Sequence, residues 1–264
     1  MARRNLSNRR VVITGASTGI GRALAVELAR QGTRLVLNAR SQEKLQAAAD
    51  EAVRLGASCE LVVGDVAEDG VRRAIVQRAA QTFGGLDVLV NNAGIGALGR
   101  FDEAAPERLR RVLEVNFFAL VEMTRLALPL LKQGQQPLVV NLSSILGHRG
   151  IPLSSEYCAS KFAVRGFSES LRAELAADGV GVLVVCPGTT KTEFFTSVID
   201  RRGPVPWEGG GATSPETVAR AMVRAMQRGA HEIVPSFQGR FVVWGERLVP
   251  RLLDYIMSRF VPPH

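Results

Sequence analysis

Val11-Val12-Ile13-Thr14-Gly15-Ala16-Ser17-Thr18-Gly19-Ile20-Gly21 runs from a short apolar triplet, through a glycine-rich turn, into a stretch carrying Ile20, Leu24 and Leu28 at helical spacing. An apolar run this short reads as a buried strand, and the spacing after it as the apolar face of a helix. Glycines let the backbone turn sharply and come close to a pyrophosphate, while a helix N-terminus offers free N–H groups and the positive end of a dipole. The spacing G-x-x-x-G-x-G differs from the common G-x-G-x-x-G dinucleotide fingerprint. Such turns also occur for steric reasons alone. Its place at the first strand–helix junction favours a phosphate-binding role for Gly15, Ser17, Thr18, Gly19, Ile20 and Gly21.

The same alternation extends outward along the chain. Strand signals recur at Leu35-Val36-Leu37, Leu61-Val62-Val63, 86–90, 138–142, 182–185 and Glu232-Ile233-Val234. Helical patterns fall between them at 42–55, 71–82, 106–131, 155–177 and 215–228. Continuous apolar strands have both faces buried, and intervening helices imply parallel crossovers. The expected fold class is therefore α/β: a Rossmann-type doubly wound parallel sheet of seven strands with helices on both faces. No linker or repeat interrupts it, so one coenzyme-binding and catalytic domain is expected over 1–264. Segments 193–213 and 237–264 are the loosely patterned parts, expected to be a substrate-loop insertion and an amphipathic C-terminal extension.

Composition narrows the function classes. The 264 residues are 46% hydrophobic and 22% charged, ordinary for a globular protein. No run of about 18 apolar residues occurs, which excludes a membrane-spanning helix. The start Met1-Ala2-Arg3-Arg4 has no apolar segment behind it and argues against secretion. Cys59, Cys158 and Cys186 lie far apart without metal-site spacing, so a reducing, cytoplasmic setting is the default. His148, His231 and His264 share no spacing with cysteines or acids, and no metal is expected. The formal charge of +8 comes almost wholly from arginine, in short clusters without interleaved aromatics. That argues against a nucleic-acid partner.

The end of the second strand bears on the coenzyme. An NAD site places an acid there, roughly 20 residues after the glycines, to bind the ribose 2′-hydroxyl. Here the chain reads Asn38-Ala39-Arg40-Ser41. Ala39 cannot accept that hydrogen bond, and Arg40 can pair with a 2′-phosphate. NADP(H) is the expected coenzyme. Further on, Tyr157 and Lys161 are four residues apart in a helical pattern, which puts them on one face a turn apart. An ordinary tyrosine, with a pKa near 10, is a poor base at neutral pH, and a nearby ammonium stabilises its phenolate.

With these motifs the chain resembles the short-chain dehydrogenase/reductase family, in the branch carrying TGxxxGIG, NNAG and YxxxK. The motifs run in family order from Thr14 to Thr192. The resemblance implies that Asn92, Ala93 and Gly94, within Asn91-Asn92-Ala93-Gly94, stabilise the sheet and line the coenzyme site. It sets Asp65 and Val66 against the adenine, and Pro187, Gly188 and Thr192 against the nicotinamide end. Ser144, thirteen residues before Tyr157, matches the serine that orients the substrate oxygen; Ser143 is assigned to the backbone near the strand end. Asn116 matches a water-linked relay to the lysine, and Lys161 also holds the nicotinamide ribose. The implied activity is hydride transfer between NADP(H) and a carbonyl or secondary alcohol, by a homodimer or homotetramer. The competing reading is a non-catalytic coenzyme-binding regulator or scaffold on the same fold.

Segments 95–101, 145–153 and 189–213 are expected to form the substrate pocket. Their apolar residues are Ile95, Leu98, Ile145, Leu146, Ile151, Leu153, Phe194, Phe195, Val198, Ile199 and Trp207, suited to a hydrophobic substrate. His148 is read as solvated, and Cys158 and Cys186 as packing. In the tail, Phe241, Trp244, Leu248, Leu252, Tyr255 or Ile256, and Phe260 recur at helical spacing beside Arg240, Arg247, Arg251 and Arg259. Pro250 divides this stretch into two helices. Such a face can lie weakly on a membrane as a peripheral contact. Packing on the domain, on a second subunit or over the pocket is the favoured expectation.

Overall fold

Strands β1 (Arg10–Thr14), β2 (Arg34–Ala39), β3 (Ser58–Val63), β4 (Val88–Asn91), β5 (Leu138–Leu142), β6 (Gly181–Val185) and β7 (Glu232–Ile233) form one parallel sheet. Their order is β3-β2-β1-β4-β5-β6-β7. The structure, a computed structural model, describes residues 3–194, 198–199 and 211–259. Phe195, Trp207, Phe260 and most of the expected substrate loop lie outside the described residues.

Alternate strand residues feed two cores. Val11, Ile13, Leu35 and Leu37 face α1 (Gly19–Ala29), α2 (Gln42–Arg54) and α7 (Pro215–Arg228), packing with Leu24, Leu28, Leu45 and Met222. Val12, Val36, Leu89 and Val139 face α3 (Asp69–Phe83), α5 (Ala119–Lys132) and α6 (Ser155–Glu174), packing with Ile75, Met123 and Leu171. Each buried Leu or Ile stabilises the fold by roughly 1.5–3 kcal/mol, so both faces of the sheet carry large driving forces. Strand order reverses beside β1. In such sheets the crevice outside the strand C-termini at the switch point is where ligands bind.

The expected helix over 106–131 is interrupted. It is α4 (Pro106–Leu113), a π turn (Glu114–Phe118) and then α5. The periodicity of the stretch carries no signal for the extra residue in that turn. A second difference lies at the C-terminus. Helices α8 (Phe237–Leu248) and α9 (Pro250–Ser258) meet at Val249-Pro250. Their inward residues are Gly239 and Val243, with Leu253 and Met257 partly covered. The face expected to pack on the domain, on a second subunit or over the pocket (Phe241, Trp244, Leu248, Leu252, Tyr255 and Ile256) is exposed on this chain, so it does not pack on the domain. Periodicity identified an apolar face but not its orientation. Among the described residues no helix is long and apolar enough to cross a membrane.

Candidate active site

The glycine-rich turn is shaped by what lies beneath it. Gly15 has φ +65°, and a Cβ there would sit 2.8 Å from Ala93 Cα. A Cβ on Gly21 would run into the Gly15 carbonyl oxygen. Only glycine fits at both. Asn92 ties the turn to β4: its Nδ2 donates to Thr14 O and Gly15 O, each at 2.9 Å. Thr14 Oγ1 accepts from the N–H groups of Asn92 and Ala93, both at 3.1 Å.

At the end of β2, Asn38 is committed to the sheet, its Nδ2 donating to Val62 O at 2.9 Å and to Gly64 O at 3.2 Å. Ala39 is buried, and Arg40 is exposed at the cleft rim. Lys44, one turn further on in α2, lines the same rim, and its Nζ is 2.6 Å from Glu193 Oε2. The sequence reading missed this second cation, although its four-residue spacing from Arg40 was visible. Asp65 accepts from Ala67 N at 3.0 Å and pairs with Arg111 at 2.5 Å. Burial pushes its carboxyl up. The Ala67 and Arg111 bonds outweigh that and hold it below the usual carboxylate range.

Ser144, Tyr157 and Lys161 meet where β5 ends and α6 begins. Ser144 starts a 3-10 turn, its Oγ accepting from Leu146 N at 3.1 Å, and it hydrogen-bonds the Tyr157 hydroxyl. Burial raises the Tyr157 pKa, with the Ser144 bond pulling it down, so the phenol holds its proton at neutral pH. Burial lowers Lys161 to about 8. Its Nζ donates to Leu142 O at 2.9 Å and lies 5.5 Å from the centre of the Tyr157 ring. Ser143 Oγ donates instead to the Lys161 backbone carbonyl at 2.9 Å.

The π turn brings Asn116 up to Ile95. Its Oδ1 accepts from Ile95 N at 2.8 Å, and its Nδ2 donates to Ile95 O at 2.9 Å and Ser160 Oγ at 3.0 Å. A Cβ on Gly94 would lie 3.2 Å from Asn116 Oδ1 and 3.6 Å from Lys161 Nζ. Glycine at 94 therefore leaves a gap that faces both groups.

These parts enclose a cavity of about 700 Å³. Gly15, Ser17, Thr18, Gly19, Ile20, Arg40, Asp65, Val66, Asn92, Ala93, Gly94, Pro187, Gly188 and Thr192 line it together with Ser144, Tyr157 and Lys161. Gly21 and Asn116 stand behind its wall. The far end is apolar. Ile95, Leu98, Ile145, Leu146, Ile151, Phe194 and Val198 contribute, whereas Leu153 and Ile199 do not. The C-terminal helices add Val242, Leu253 and Met257, which the sequence reading did not place there.

Comparison with known proteins meets this geometry. The short chain dehydrogenase family matches residues 9–203, most of the chain. This chain belongs to the short-chain dehydrogenases. It is 35% identical over 266 residues to the 11-beta-hydroxysteroid dehydrogenase A of Sesamum indicum, covering 96% of this chain and 75% of that one. A short-chain dehydrogenase/reductase of Burkholderia phymatum in complex with NAD is 25% identical, with a TM-score of 0.85 and 99% of both chains covered. One of Burkholderia cenocepacia in complex with NADP is 28% identical, with a TM-score of 0.77, covering 88% of this chain and 97% of that one.

Two further features of this short-chain dehydrogenase surround α6. Arg108 of α4 and Glu156, next to Tyr157, form an almost fully buried pair, with Nη2 2.7 Å from Oε1. His148 is buried, not solvated: it sits 3.3 Å from Glu232 and beside Cys186. The other Glu232 oxygen accepts from Arg165 Nε at 3.0 Å. The His148 bond and the Arg165 bond outweigh burial and pull the Glu232 carboxyl down to about 2, while burial pushes the Cys186 thiol up to about 12. These partners are 84 and 67 residues from Glu232 in sequence, beyond the reach of spacing arguments.

Proposed function

We propose that this oxidoreductase moves a hydride between NADP(H) and the carbonyl or secondary alcohol of a hydrophobic small molecule. The observation that carries the reading is one cavity in which Ser144, Tyr157 and Lys161 separate a glycine-rich phosphate cradle from an apolar chamber. Buried Ala39 beside Arg40 favours the coenzyme with a 2′-phosphate, since Ala39 stands where an acid would take a ribose hydroxyl and Arg40 offers charge there, with Lys44, paired with Glu193, on the same rim.

The cradle fits a dinucleotide: a Cβ on Gly19 would lie 3.0 Å from Thr192 Cγ2 across it, and side chains at Gly15 and Gly21 would push the turn off Ala93 and Asn92. The turn at 15–21 would hold the pyrophosphate, Asp65 and Val66 the adenine, and Lys161, Pro187, Gly188 and Thr192 the nicotinamide riboside. Bound there, the nicotinamide supplies hydride chemistry, and the protein supplies orientation and the proton. Ser144 holds the substrate oxygen against Tyr157. In the reducing direction that oxygen takes the Tyr157 proton, and in the oxidising direction Tyr157 takes it back. The Lys161 ammonium stabilises the phenolate left behind. A water in the gap at Gly94 would link Lys161 to Asn116. The chamber's Ile, Leu and Phe residues suit an apolar ketone, and the resemblance to a hydroxysteroid dehydrogenase supports the same class.

The reading includes one domain over 1–264 with 193–213 as substrate loop, acting in the cytoplasm. It also includes a homodimer or homotetramer, supported by Phe118 and Phe162, half exposed on the π turn and on α6, two elements that pack together. Oxidation of NADPH and of NADH with a panel of apolar ketones, and the reverse reaction with secondary alcohols, tests it. Turnover with NADPH is expected. Coenzyme binding with no turnover of any substrate would instead identify a coenzyme-binding regulator.

A further inference from the structure

The outer side of the C-terminal helices is an apolar stripe that the described residues leave exposed. On α8 it comprises Phe237, Phe241, Trp244 and Leu248, exposed by 72%, 64%, 67% and 74%. On α9 it continues through Leu252, Tyr255 and Ile256, exposed by 54%, 58% and 38%. The spacings of four, three and four residues along α8 are those of one helix face. Soluble surfaces carry such residues singly; gathered in one stripe they mark an interaction site.

Its orientation is fixed from beneath. Arg149, on the loop that follows Ser144, bonds Glu246 of α8 at 2.7 Å and Asp254 of α9 at 2.6 Å. Both acids of the two helices are thereby tied to one arginine, Glu246 partly covered and Asp254 still exposed, and Leu253 and Met257 close the cavity wall. The remaining charges there are Arg240, Arg247, Arg251 and Arg259, all exposed. Arg259 stacks on the Tyr255 ring with its guanidinium carbon 4.6 Å from the ring centre. The outer face is thus apolar along its stripe and cationic around it.

We infer that α8 and α9 dock this dehydrogenase on the surface of an anionic phospholipid bilayer. Aromatic and aliphatic side chains on one face, arginines beside them and both acids of the two helices paired with Arg149 suit an interfacial helix. A second copy of the chain fits less well, because a two-fold contact through this face would set arginines against arginines. The charge complementarity is with lipid phosphates and serine headgroups. Docking there would bring the wall formed by Val242, Leu253 and Met257 to the bilayer surface. An apolar substrate would then reach the cavity from lipid, a consequence that rests on the proposed function; the docking itself does not.

Co-sedimentation with vesicles tests it, using phosphatidylcholine alone and phosphatidylcholine mixed with phosphatidylserine. Binding to the mixed vesicles is expected at low salt, weakening as salt screens the arginines. Arg247→Gln with Arg251→Gln should weaken it about 30-fold, from roughly fivefold per arginine near an anionic surface. Phe241→Ser with Trp244→Ser should abolish it. An unchanged circular dichroism melting curve in each variant confirms that the fold is intact. Absence of wild-type sedimentation at low salt overturns the inference, as does undiminished sedimentation of both variants. Light scattering that shows a dimer split by Phe241→Ser with Trp244→Ser would assign the stripe to a second copy instead.

Discussion

Replacing Glu156 by Ala should loosen the start of α6 at a cost that its surroundings fix. The Arg108 side chain is 2% exposed and that of Glu156 3%. Glu156 Oε1 accepts from Arg108 Nε at 2.9 Å and Nη2 at 2.7 Å, and Oε2 accepts from Ser155 Oγ at 2.9 Å. Removing the carboxylate takes two charge-assisted bonds from a guanidinium that lies out of water, a loss of about 3–5 kcal/mol for a broken buried pair. Arg108 Nη2 keeps the carbonyls of Gly99 and Arg100 at 3.4 and 3.3 Å, which favours the lower end, about 3 kcal/mol. For a chain of this size that lowers Tm by about 6–12 °C. Urea denaturation of Glu156→Ala, Arg108→Leu and the double variant Arg108→Leu/Glu156→Leu measures it. The double variant should be more stable than either single one, because it removes both charges of the buried pair together. A loss below about 1 kcal/mol in Glu156→Ala, or purely additive losses in the double variant, would refute the reasoning.

Three other outcomes follow from the site. Arg40→Ala should narrow the preference for NADPH over NADH by about tenfold, one charge-assisted hydrogen bond at an exposed rim, measured by fluorescence titration of each coenzyme. An unchanged ratio would remove Arg40 from the 2′-phosphate. Glu232 is held at about 2, below its ordinary 4.5, so its bonds stabilise the fold above pH 4.5 and that stability is lost as pH falls towards 2. Glu232→Gln should therefore cost about 2–3 kcal/mol near neutral pH and flatten the acid limb of a stability–pH curve, whereas a parallel curve would contradict this. Gly21→Ala should abolish coenzyme binding or folding because its methyl meets the Gly15 carbonyl, and a soluble variant with wild-type coenzyme affinity would show that the turn can yield.

The sheet was legible because both its faces are buried, which leaves continuous apolar runs such as Val11-Val12-Ile13 that only crossover helices can separate. The core of the site was legible where function needs close spacing, as in Gly15 to Gly21 and Tyr157 to Lys161. Long-range partnerships were not. Arg108 and Glu156 are 48 residues apart, and neither has a local pattern that names the other. Arg149 likewise reaches 97 residues to Glu246 and 105 to Asp254. The π turn that aims Asn116 at Ile95 leaves the apolar periodicity of its flanks intact. The tail shows a further limit: Trp244 and Leu248 announce an apolar face by their spacing, but the Arg149 ion pairs decide which way it points.

The central claim is that Tyr157 delivers the proton in an NADP(H)-dependent reduction. Its most direct test is Tyr157→Phe, with ketone reduction followed by the loss of NADPH absorbance and coenzyme affinity titrated in the same preparation. The variant removes one hydroxyl and keeps the ring that packs 5.5 Å from Phe194. Turnover should fall by about 10²–10⁴-fold, the range of a lost general acid, while NADPH binds within about twofold of wild type. Reduction near the wild-type rate, in a variant that still binds NADPH, would contradict the claim.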